Sequence, residues 1–112
     1  MYIRCAFFSG RVKPGREAEF TAYVRENLVP LWTRFPGAEE VRVLRQDESD
    51  SDAQHYEMVL AIRYPSREAI EEALASPVRL ESREVTKSLL EMFDGSIFHT
   101  VFKADDFPLP TD

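Results

Sequence analysis

Three side chains stand out because chemistry-bearing groups sit where the surrounding pattern is apolar: Asn27, His99 and Arg4. Asn27 falls in the middle of a helical apolar stripe formed by Phe20, Val24, Leu28, Leu31 and Phe35. A carboxamide there has two readings. It satisfies backbone groups released by Pro30, or it points into a pocket at a helix kink. His99 lies in a strand-like segment in register with Ile97 and Val101. It is either a hydrogen-bonded core residue or a general base toward an acidic C–H or a phenol. Arg4 interrupts the first apolar run; either its cation pairs with a carboxylate or stabilises an enolate, or it lies at the rim of the sheet.

Tyr23, Trp32 and Tyr64 are amphipathic aromatics at the edges of the apolar stripes. Each alone is explained by packing with a wet polar tip, and together they suit the wall of a pocket for an aromatic ligand. Cys5 is the single cysteine, which excludes an intramolecular disulfide, and in a strand it reads as a small hydrophobe. The acidic stretch Asp47–Asp52 followed by His55 lacks the glycine and glutamate in register that a calcium loop needs, so it reads as a solvated hairpin loop. No GxGxxG, GxSxG, HExxH or phosphate-cradling loop occurs.

The elements that must position these groups follow from periodicity. Tyr2–Val12, Val41–Leu44, Tyr56–Tyr64 and Ile97–Phe102 read as strands, several of them apolar in both registers and therefore buried on both faces. A helix is expected from Pro14 to Phe35, broken or kinked near Leu28–Pro30 because Pro30 lacks an N–H and clashes with the Glu26 carbonyl. Ser66 and Ser76-Pro77 open two more helical stretches, and Asp94-Gly95 is expected to stop the last. The order is strand, helix, strand, strand, helix, strand. One helical layer cannot cover both faces of such a sheet, so a second copy of the chain is expected on the other.

The 112 residues make one domain, expected over 1–103 with a tail over 104–112. A net charge of −6 without a basic stripe argues against nucleic acid, and no apolar run is long enough to span a membrane. Cytoplasmic location is the default expectation.

Val12-Lys13-Pro14-Gly15 with Phe20 six positions after Pro14, then Phe35-Pro36-Gly37, then Ala75-Ser76-Pro77 give the chain a resemblance to the ferredoxin-like dimeric α+β barrel superfamily. It is closest in pattern to the antibiotic-biosynthesis monooxygenase-like and ether-degradation-protein-like branches. The resemblance implies an α+β fold of β-α-β-β-α-β order, a four-stranded antiparallel sheet with helices on one face, and a homodimer through facing sheets. It also implies a pocket for a small apolar metabolite between helices and sheet, and cofactor-free oxygenation, isomerisation or cyclisation. The haem-degrading branch uses an Asn in its first strand, which is missing here, and haem breakdown is set aside. The expectation is therefore a cofactor-free enzyme with His99 and Asn27 catalytic and Tyr64, Tyr23, Trp32 and Arg4 binding substrate. The alternative is a non-catalytic dimeric ligand-binding or accessory protein.

Overall fold

The computed structural model describes residues 1–111. Four strands form one antiparallel sheet in the order β2-β3-β1-β4, with β1 Tyr2–Val12, β2 Glu40–Leu44, β3 Tyr56–Tyr64 and β4 Phe93–Lys103. The helices are α1 Glu17–Tyr23, α2 Val29–Trp32, α3 Arg67–Leu74 and α4 Pro77–Leu90. Element order and sheet are those of the ferredoxin-like α+β fold that the family resemblance implied.

Period-two alternation divides β1 between two environments. Ala6, Phe8 and Val12 are buried toward the helices, in register with Leu60 and Met58 of β3 and with His99, Ile97 and Phe93 of β4. Ile3, Cys5 and Phe7 point the other way, in register with Phe102, Thr100 and Phe98. On that second face Phe7 stacks on Phe98 at 5.0 Å between ring centroids and meets Phe102 edge-on at 6.4 Å. Phe98 and Phe102 are nevertheless 41% and 47% exposed, so this face is apolar and uncovered within one chain.

Two serines cap helices as their sequence positions predict. Ser66 Oγ accepts from Ala69 N–H at 3.1 Å, and Ser76 Oγ accepts from Arg79 N–H at 3.3 Å. Each satisfies a backbone donor that the first helical turn leaves free.

The first helical region departs from a regular α-helix. Between α1 and α2, Val24–Leu28 forms a π turn in which the Val29 N–H donates to the Val24 carbonyl. Pro30 directly follows, and its missing N–H cannot continue an α pattern onto Glu26. The wider turn keeps Phe20, Val24, Leu28 and Trp32 on the core side at intervals of four. It turns Asn27 out of the stripe, and Asn27 is exposed. The regular 100° helical phase that centred Asn27 among apolar neighbours is therefore corrected here: the kink expected near Pro30 is present, and it removes Asn27 from the core.

β4 begins four residues earlier than its apolar pattern indicated, at Phe93 rather than Ile97. Asp94-Gly95 continues the strand instead of ending a helix, because Gly10 and Gly95 face each other and let the β1 and β4 backbones approach closely. A Cβ on Gly10, whose φ is +136°, would collide with the Asp94 carbonyl. After Lys103 the chain has no regular element through Thr111, and Asp112, the last residue of the expected tail, lies outside the described residues.

Candidate functional site

Between the sheet and the helical layer lies a cavity of about 920 Å³. Its floor is the helix-facing side of the sheet: Arg4, Ala6 and Phe8 from β1, Leu60 and Ile62 from β3, Ile97 and His99 from β4. Trp32 and Phe35 also line it, and α4 contributes Arg79, Ser82, Arg83 and Thr86. The alternation of each strand delivers these groups. Ala6 stands opposite both Leu60 and His99, and Arg4 opposite both Ile62 and Val101. Arg4 and His99 therefore share one face of adjacent strands.

The cavity is cationic. Arg4, Arg79 and Arg83 have no carboxylate within 4.0 Å among the described residues, whereas Lys87 is held by Glu84 at 3.0 Å. Burial lowers the pKa of the Arg4 guanidinium, and Arg79 lowers it further. Burial and then Arg83 lower Arg79 in turn. His99 is pulled down to about 4, first by desolvation and then by Arg4, Arg79 and Arg83. Its imidazole is neutral at pH 7 although the residue is exposed, since two of the three causes of a pKa shift act in the same direction.

The hydroxyls of the α4 wall are already engaged. Ser82 Oγ donates to the Arg79 carbonyl at 2.7 Å and Thr86 Oγ1 to the Ser82 carbonyl at 2.7 Å. Ser82 is thus a small buried residue bonded to the backbone of its own helix.

Of the six candidate side chains, the cavity brings together Arg4, Trp32 and His99. Tyr64 is buried on the same face, 1% exposed, with its phenol pKa raised by burial and opposed by Arg4, but it does not line the cavity. Tyr23 donates its hydroxyl to the Val85 carbonyl at 2.9 Å and so ties α1 to α4 instead of facing a ligand. Asn27 is exposed and away from the cavity. Reading the sequence missed Arg79 and Arg83. Their signal was the basic series Arg79, Arg83, Lys87 at intervals of four on one helix, which looks like an ordinary solvated face until the sheet is placed beneath it.

A family model described as antibiotic biosynthesis monooxygenase matches residues 1–85. Among solved structures, an ethyl tert-butyl ether d (EthD) family protein from Bacillus halodurans C-125 superposes with a TM-score of 0.69 at 13% identity, covering 94% of this chain and 100% of that one. SnoaB, a cofactor-independent oxygenase from Streptomyces nogalater, gives a TM-score of 0.62 at 22% identity, covering 95% and 94%. Rv0793 from Mycobacterium tuberculosis gives 0.60 at 23% identity, covering 95% and 96%. At these identities the structural likeness establishes fold. No curated protein matches the sequence. Among the described residues no helix is long and apolar enough to cross a membrane.

Proposed function

The chain belongs to the antibiotic biosynthesis monooxygenase family, and on that premise we propose that it is a cofactor-free enzyme of monooxygenase, isomerase or cyclase type. Its substrate is a small, largely apolar, aromatic metabolite held in the cavity between helices and sheet. The observation that carries this reading is that His99 and Arg4 share the floor of one cavity with an apolar lining that includes Trp32.

The chemistry follows from the charges. A neutral imidazole accepts a proton from an acidic C–H or phenol of the bound substrate. Desolvation first, and then the charges of Arg4, Arg79 and Arg83, disfavour an imidazolium, so His99 resists protonation in the free protein. Proton abstraction changes that balance, because it creates a carbanion or phenolate among the same cations. The anion is stabilised by Arg4 and Arg79, and it in turn stabilises the new imidazolium. The imidazolium and the anion form together in this one step, each stabilising the other. Asn27 has no part in this scheme.

Replacing His99 by Ala tests the assignment. Turnover of an identified substrate should fall by about 10²–10⁴-fold, the usual range for a general base. Unchanged turnover would refute the role of His99. The depressed pKa of His99 also favours a second reading, a non-catalytic binding protein, since a group that protonates near pH 4 is a weak base. Binding without turnover across a panel of phenols and 1,3-diketones would select it.

We further propose a homodimer through the sheet face that carries Phe7, Phe98 and Phe102. Apolar area on this scale is rarely left open to water in a stable monomer.

A further inference from the structure

We propose that the cavity takes a carboxylate-bearing ligand, an aryl acid whose apolar body lies on Ala6, Phe8 and Trp32 while Arg4 and Arg79, with Arg83 at the rim, hold its carboxylate. This deepens the functional reading above and rests on its premise that the cavity is the ligand site.

The three arginines occupy positions that cost stability in the free protein. Arg79 is the third residue of α4, beside the positive end of a 14-residue helix, where acidic residues are favoured and basic ones are not. Arg83 follows one turn later on the same face, and like charges at that spacing repel. Arg4 is desolvated on the sheet below. The molecule has carboxylates in excess, 20 acidic residues against 14 basic, and several arginines elsewhere use them. Arg16 pairs with Glu19 at 3.0 Å, Arg42 with Glu40 at 2.8 Å and Arg34 with Glu81 at 3.8 Å. At the cavity the one acidic lining residue among the described residues, Glu84, is turned to Lys87. Three guanidiniums therefore converge on one space without an anion from the described residues.

A bound carboxylate offsets each of these costs. Its two oxygens match the planar donor fork of a guanidinium, and the surrounding low-dielectric wall strengthens the pairing. A neutral aromatic would fill the same volume and leave all three charges uncompensated. The cavity also offers an apolar body a surface beyond the head group, since its lining includes Ala6, Phe8, Trp32 and Phe35 as well as the arginines.

The test uses two probes of equal shape, 2-naphthoate and 2-naphthamide, titrated into the whole protein while the fluorescence of Trp32, the only tryptophan, is followed. Naphthoate should bind at least tenfold more tightly, and its advantage should shrink as salt rises from 50 to 500 mM. In the Arg79→Gln/Arg83→Gln double variant most of the advantage should be lost, leaving the part that Arg4 supplies, while naphthamide affinity stays the same. Arg83→Gln alone changes an exposed side chain and should remove part of the advantage, so the result does not depend on the double variant folding. Equal affinity of the two probes for the unmodified protein would overturn the carboxylate proposal and leave the cavity as a ligand site. Failure of both probes to bind would overturn the proposal together with the functional reading beneath it.

Discussion

Ala6 and His99 face each other directly across the β1–β4 ladder, so the smallest buried side chain of the cavity floor lies beside its only imidazole. Ala6 is 5% exposed, and its methyl group leaves the room in which a ligand atom can approach His99. Ala6→Leu fills that room. The larger side chain has open space to enter, so the folding cost should stay at or below about 1–3 kcal/mol. Binding of 2-naphthoate should be lost, which fluorescence titration of Trp32 would show.

The pKa of His99 makes a prediction about stability and pH. In the folded protein it titrates at about 4, below its ordinary value of 6.5. Between those two values the unfolded chain binds a proton that the folded chain does not. Folding stability from this group is therefore complete above pH 6.5 and declines as pH falls from 6.5 toward 4. His99→Gln should remove this component. Carboxylates titrate in part of the same window, so the measurement is the difference between the two proteins in urea midpoints from pH 4 to 7.5.

Arg4 carries a desolvated charge without a carboxylate partner among the described residues. Arg4→Met keeps much of the length and removes the charge. The variant should be more stable than the parent by about 1 kcal/mol, since replacing buried charge with apolar volume is often favourable. Calorimetry should show a rise of roughly 4–8 °C in Tm. Affinity for naphthoate should fall at the same time, so that stability and binding move in opposite directions.

Asn27→Ala is expected to change little. The side chain is exposed and outside the cavity, so stability should stay within about 0.5 kcal/mol and naphthoate affinity should be unaltered. A large loss of affinity would mean that the cavity extends around the kinked helix.

Phe98→Glu places a charge in the aromatic group formed by Phe7, Phe98 and Phe102. Sedimentation at micromolar concentration should show a dimer for the parent chain and a monomer for the variant. Because Phe98 is already exposed in one chain, the fold of the monomer should survive.

The parts of the fold that were legible in the sequence depend on local chemistry. Strands apolar in both registers declared the sheet, and Ser66 and Ser76 declared two helix starts through their side-chain caps. What was not legible depends on phase and on placement between elements. Asn27 looked central because a regular helix was assumed, and one π turn moved it. Asp94-Gly95 looked like a helix stop because the glycine pairing with Gly10 across β1 and β4 is a relation over many residues. His99 and Arg4 were identifiable as anomalies, but their shared face follows from strand register. Arg79 and Arg83 looked unexceptional on their own helix and become unusual only opposite Arg4.

The π turn has a consequence for chain length. Phe20 and Trp32 are twelve residues apart and both buried. At 3.6 residues per turn, twelve residues make three turns and about a third of another, which would set the two rings on different sides. Eleven residues would make almost three whole turns and align them. The segment Val24–Leu28 thus absorbs one residue more than a straight helix between these anchors requires. A version of this protein one residue shorter in that segment could close the same core with an unbroken α-helix. Seen this way, Asn27 belongs to the surplus. It is exposed because the helix carries an extra residue and must put it outside.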